Sequence, residues 1–125
     1  MVRFINCFEV PVGRDEEFME LWGEVNAYMQ GKPGYVGHRL HRALSGDARY
    51  RYVNYVEWAG VEHWRAAHDD GFRERVGRPG WEHFTTTPAL FEIVHAAGTI
   101  SDVGEVGDQS QSTAFEVAPS GASRA

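Results

Sequence analysis

Arg49-Tyr50-Arg51-Tyr52-Val53-Asn54-Tyr55-Val56-Glu57-Trp58 divides into two alternating sets. Tyr50, Tyr52, Asn54, Val56 and Trp58 fall on one side; Arg49, Arg51, Val53, Tyr55 and Glu57 fall on the other. That is the two-residue period of a strand. Just upstream, Ser45-Gly46-Asp47 is turn chemistry, and residues 35–44 read as a strand that enters it. The two strands therefore form an antiparallel hairpin.

Working outward, residues 2–10 mix β-branched and aromatic residues and stop at Pro11-Val12-Gly13, so they read as a further strand. From Asp15 on, Phe18, Leu21, Trp22, Val25, Tyr28 and Met29 recur at helical spacing. Asp15, Glu16, Glu17, Glu20 and Glu24 fill the opposite face and favour the helix start. Gly31-Lys32-Pro33-Gly34 breaks this helix. A second helix is expected from near Gly60 to Val76-Gly77, with Val61, Trp64, His68 and Phe72 on one stripe. Arg78-Pro79-Gly80 ends it, residues 81–84 form a short helical turn, and residues 90–95 read as the last strand. The order β-α-β-β-α-β is that of an α+β, ferredoxin-like domain: one antiparallel sheet with both helices on one face. The uncovered face calls for a second copy, and Tyr50, Tyr52 and Trp58 would enlarge its apolar patch if they pointed outward.

The 125 residues are 42% hydrophobic and 13% aromatic, as expected for one globular core. That core is assigned to residues 1–100. Residues 101–125 hold Asp102, Glu105, Asp108 and Glu116 against Arg124 alone and few large apolar residues, so they read as a flexible acidic tail. A net charge of −6 opposes nucleic-acid binding. The lack of a leader pattern or a long apolar run points to a cytoplasmic protein without membrane attachment. Cys7, the single cysteine, reads as a small core residue. Asp69-Asp70 lacks companion ligands at workable spacing, so no metal site is expected.

The chemistry-bearing segment is Asn54-Tyr55-Val56-Glu57-Trp58, with Trp64 six residues further on. Together with Phe8-Glu9-Val10-Pro11-Val12-Gly13 and Lys32-Pro33-Gly34-Tyr35, it resembles the antibiotic biosynthesis monooxygenase family over about residues 2–98. The resemblance extends to the family's small anthrone oxygenases of aromatic polyketide pathways. It implies a homodimeric α/β barrel that oxidises a planar, electron-rich aromatic to a quinone. Molecular oxygen is the co-substrate, and no flavin, haem or metal is used. It also implies that Asn54, Trp58 and Trp64 meet the substrate. An amide and an indole N–H can donate to a developing oxyanion, and Trp64 can stack on flat rings. Both tryptophans equally suit a small core.

Asn6 alternates with Phe4, Phe8 and Val10 and is a second inward polar candidate; it also matches an asparagine of the family's haem-degrading branch. That branch needs an axial histidine near the position of Val76, and neither Arg75 nor Gly77 supplies one. Haem binding or degradation is therefore the alternative, with His68 early for the role. As a proton acceptor, His68 lies on the helix stripe beside Trp64, and His38 shares parity with Leu40. Tyr52 joins Asn54 by strand parity as a substrate contact, and Arg78 can approach an anionic phenolate. A non-catalytic small-molecule-binding dimer is a third reading.

Overall fold

The computed structural model describes residues 1–100. Strand β1 is Val2–Glu9, helix α1 Asp15–Met29, β2 Tyr35–Arg42, β3 Tyr52–Trp58, α2 Val61–Ala67, α3 Asp70–Val76, and β4 Thr85–Phe91. A single 3-10 turn, Trp81–His83, precedes β4. All of these lie in a unit made of Met1–Ala43 and Asp47–Glu92. Leu44–Gly46 and residues 93–100 fall outside that unit and hold no helix or strand. The tail expected at 101–125 lies outside the described residues.

The four strands form one antiparallel sheet in the order β2-β3-β1-β4, so the expected ferredoxin-like α+β arrangement is present. Alternation along β3 is complete: Tyr52, Asn54, Val56 and Trp58 are buried, while Val53, Tyr55 and Glu57 are half-buried. The helices cover the face of the buried set. Phe18 of α1 is fully buried and stacks on Tyr52 at 4.6 Å between ring centres, with Phe8 and Phe84 edge-on at 4.8 and 5.4 Å. Because Tyr52 and Trp58 face the helices, they contribute nothing to the uncovered side. That side carries Ile5, Cys7, Val53 and Tyr55 instead.

Three local departures from the sequence reading matter for the site. The helix expected from Gly60 to Val76 is two helices. Asp69 breaks it by accepting the backbone N–H of Phe72 at 3.1 Å, an N-cap bond that starts α3 afresh. The last strand begins at Thr85 rather than at residue 90 and includes Pro88. A proline is tolerated there because β4 is an edge strand, paired only with β1, where a missing N–H need not break a ladder. Finally, β2 has a bulge at Val36: Tyr35 and Gly37 stand opposite Trp58 and Glu57, which are adjacent residues. The extra residue reverses the parity of the strand, so Tyr35 and His38 share the helix-facing side.

Candidate active site

Between the sheet and the helices lies a cavity of about 460 Å³. Phe4, Asn6 and Phe8 of β1 and Asn54, Val56 and Trp58 of β3 form its floor. Trp22, Val25, Asn26 and Met29 of α1 face Trp64, His68, Phe72 and Val76 of the α2–α3 segment across it. Trp81, Phe84, Thr86 and Pro88 close the β4 side. Of all these, only Thr86 and Pro88 are exposed, so the cavity opens along β4. Phe4 and Phe8 stand about 13 Å apart along β1, at about 3.3 Å per residue. Trp64 packs on Phe4 at 5.8 Å and Trp81 on Phe8 at 6.4 Å, so the two indoles mark the ends of this floor.

The wall carries no Asp, Glu, Lys or Arg. Its polarity comes from a few groups left without partners. Among the described residues, four buried side-chain atoms lack a hydrogen bond: Asn6 Oδ1, Asn54 Oδ1, Trp64 Nε1 and Trp81 Nε1. All four belong to residues that line the cavity. Asn6 and Asn54 are direct cross-strand partners, so their amides stand side by side in mid-floor. Each unpaired buried polar atom costs about 1–3 kcal/mol. Four gathered on one apolar wall make it the candidate binding surface.

His68 sits at the junction between α2 and α3. Its Nδ1 lies 2.6 Å from the Trp64 carbonyl oxygen, which can only accept, so Nδ1 carries the proton and Nε2 keeps its lone pair. The ring rests against Trp64 and Phe72 at 4.5 Å each. The break at Asp69 holds it there: Asp69 takes hydrogen bonds from Tyr28, from Lys32 and from the Phe72 N–H, which together keep its carboxyl well below the usual carboxylate range.

The structure thus brings Asn6, Asn54, Trp58, Trp64 and His68 to one cavity. Three other expected site residues lie elsewhere. Tyr52 has the right parity but sits at the closed end of β3, 2% exposed, and its hydroxyl donates to Asp15 Oδ2 at 2.6 Å. Arg78 pairs with Glu24 and is absent from the cavity wall. His38 stands behind the wall, where its Nδ1 shares a short hydrogen bond with the Tyr35 hydroxyl and its ring meets Trp22 edge-on at 5.5 Å. Sequence reasoning missed Tyr35 and Trp81 as wall residues. Gly37 within a strand was the available signal for the bulge that turns Tyr35 inward.

The family model described as antibiotic biosynthesis monooxygenase matches residues 1–76. Among solved structures, a putative monooxygenase from Shewanella loihica is 26% identical, with 76% of this chain and 95% of that chain covered and a TM-score of 0.67. SnoaB from Streptomyces nogalater, described as a cofactor-independent oxygenase, is 28% identical over 81% of this chain and 97% of its own, with a TM-score of 0.61. The haem degrader MhuD from Mycobacterium tuberculosis is 25% identical over 78% of this chain and 100% of its own, at a TM-score of 0.59. No curated protein matches the chain.

Proposed function

Because this chain belongs to the antibiotic biosynthesis monooxygenase family, we propose that it oxidises a planar, hydroxylated polycyclic aromatic of the anthrone type to a quinone, using dioxygen and no cofactor. The observation that carries this reading is the wall itself: aromatic and uncharged, with four unpaired polar atoms and one imidazole lone pair. Such a wall suits a flat neutral molecule with a few oxygens at its rim. The similarity to SnoaB, an oxygenase described as cofactor-independent, supports the same chemistry.

The reaction follows from the groups present. His68 Nε2 takes a proton from the activated ring methylene. The negative charge that develops spreads onto the ring oxygen, where the indole N–H groups and the amide N–H groups of Asn6 and Asn54 donate to it, while the unpaired amide Oδ1 atoms accept from the substrate's hydroxyls. That carbanion reduces dioxygen, and a C–O bond forms to give a peroxide. Loss of the second C–H proton then breaks the O–O bond and leaves a carbonyl and water. Carbon loses two protons, the distal oxygen gains two, and four electrons pass to dioxygen.

Haem fits this wall poorly. Val76 has no donor atom, and no lysine or arginine lines the cavity to meet two propionates. His68 and the likeness to MhuD are what favour haem as a second reading. The acting unit in our reading is a homodimer joined through the outer sheet face, since a sheet with helices on one side leaves Ile5, Val53 and Tyr55 uncovered.

The test is to mix the protein with a hydroxyanthrone and follow oxygen consumption and quinone absorbance. One dioxygen consumed per quinone, at a rate well above the uncatalysed reaction, is expected. Tight binding with no oxygen uptake would make the protein a carrier, and a saturable one-to-one haemin spectrum would favour the haem reading.

A further inference from the structure

The quinone-forming reaction needs two proton-handling groups, one to take protons from carbon and one to give them to the distal peroxide oxygen. Only two wall residues have a titratable side chain, His68 and Tyr35. His68 is committed as an acceptor, because its Nδ1–H is spent on the Trp64 carbonyl. Tyr35 is the other, and its phenol is far more acidic than the Thr86 hydroxyl, the remaining O–H on the wall.

Its setting is built for that task. The bulge at Val36 turns Tyr35 toward the cavity side, and the same shift turns His38 inward three residues later. The Tyr35 hydroxyl and His38 Nδ1 share a short hydrogen bond. Trp58 meets the phenol ring edge-on at 5.6 Å and Trp22 the imidazole at 5.5 Å, so both rings are held in place. Tyr35 belongs to the wall, while His38 is half-buried behind it. The pair therefore links the cavity to the outside of β2, an edge strand.

We propose that Tyr35 is the proton donor to the peroxide oxygen and that His38 refills it as a positioning and relay residue. When Tyr35 Oη–H passes its proton to the distal oxygen, Oη takes the proton on His38 Nδ1, and His38 Nε2 takes one from water. The imidazole changes tautomer and no net charge accumulates. Protons leaving carbon through His68 return to solvent separately, so the two sides balance. Burial keeps both partners neutral, as the relay requires: it pushes the Tyr35 phenol above its ordinary range and His38 below its own.

This assignment rests on the oxygenase reading, and its test separates the two. Tyr35→Phe keeps the ring and its packing, and His38→Gln keeps an N–H that can donate to the phenol oxygen while removing the relay. Both should fold and bind a hydroxyanthraquinone, read by tryptophan quenching, as the parent does. Tyr35→Phe should lower kcat by at least about 10²-fold with KM little changed, as the loss of a general acid does. His38→Gln should lower kcat less. Both variants should lose the parent's solvent deuterium isotope effect on kcat. An active parent with an equally active Tyr35→Phe, or a loss confined to KM, overturns the relay alone. A parent inert toward every hydroxyanthrone overturns the oxygenase reading itself.

Discussion

On the outer face of the sheet, polar groups find one another. Arg3 Nε donates to the Tyr55 hydroxyl at 3.2 Å, and that hydroxyl donates to Glu57 at 2.8 Å. On the inner face of the same two strands, Asn6 and Asn54 lie directly opposite each other, and neither Oδ1 has a partner. The strands could hold either side satisfied or apolar. That the inner side is neither marks where stability has been given up, on the wall of the cavity proposed to take the substrate.

The sharpest way to break this contrast is Asn54→Leu. It removes an unpaired buried amide, so the fold should gain about 1 kcal/mol rather than lose it, because an unsatisfied group disappears. Turnover should fall on the order of 10²–10³-fold, the usual consequence of removing one preorganised donor, here the Asn54 Nδ2–H of the proposed reaction. Paired urea melts and initial rates test both signs at once; unchanged turnover would make Asn54 a structural residue.

A smaller effect is expected on the outer face, where Val53→Lys places a charge on the surface proposed to join two copies. Light scattering should then report the mass of a single chain, with the melt only modestly lowered. A parent that already runs as a monomer would remove the dimer from the proposal.

The smallest effect concerns Asp69, where polar groups are fully paired. Its folded carboxyl titrates below the ordinary Asp range, held there first by Lys32 and then by Tyr28 and the Phe72 N–H. A depressed folded value means the stabilisation is complete above about pH 5 and fades as pH falls below about 4. Asp69→Asn should therefore be less stable than the parent near neutrality, and the gap should narrow in acid. Equal gaps at both pH values would show that the network contributes no pH-linked stability.

Much of this was legible in the sequence because period and parity carry it. Alternation in 49–58 placed Asn54, Val56 and Trp58 on one face, and the helical stripe placed Trp64 with His68. What was not legible is depth along an element. Tyr52 shares the face of Asn54, yet it lies over Phe18, where the core is solid. The break at Asp69 was hidden because His68 and Phe72 keep helical spacing across it. Pro88 read as a boundary because nothing local says that its strand is an edge. The inward turn of Tyr35 depends on one extra residue opposite β3, a pairing that no single strand reveals.

Those last two features have a joint consequence for how copies of this chain can meet. Pro88 interrupts the free edge of β4, and the bulge at Val36 interrupts the free edge of β2. Neither border offers an unbroken row of backbone donors and acceptors, which is what a neighbouring sheet needs to extend itself strand by strand toward a fibril. The bulge that presents a phenol to the cavity thus also disarms a border, and stacking of one sheet on another is left as the open route of association.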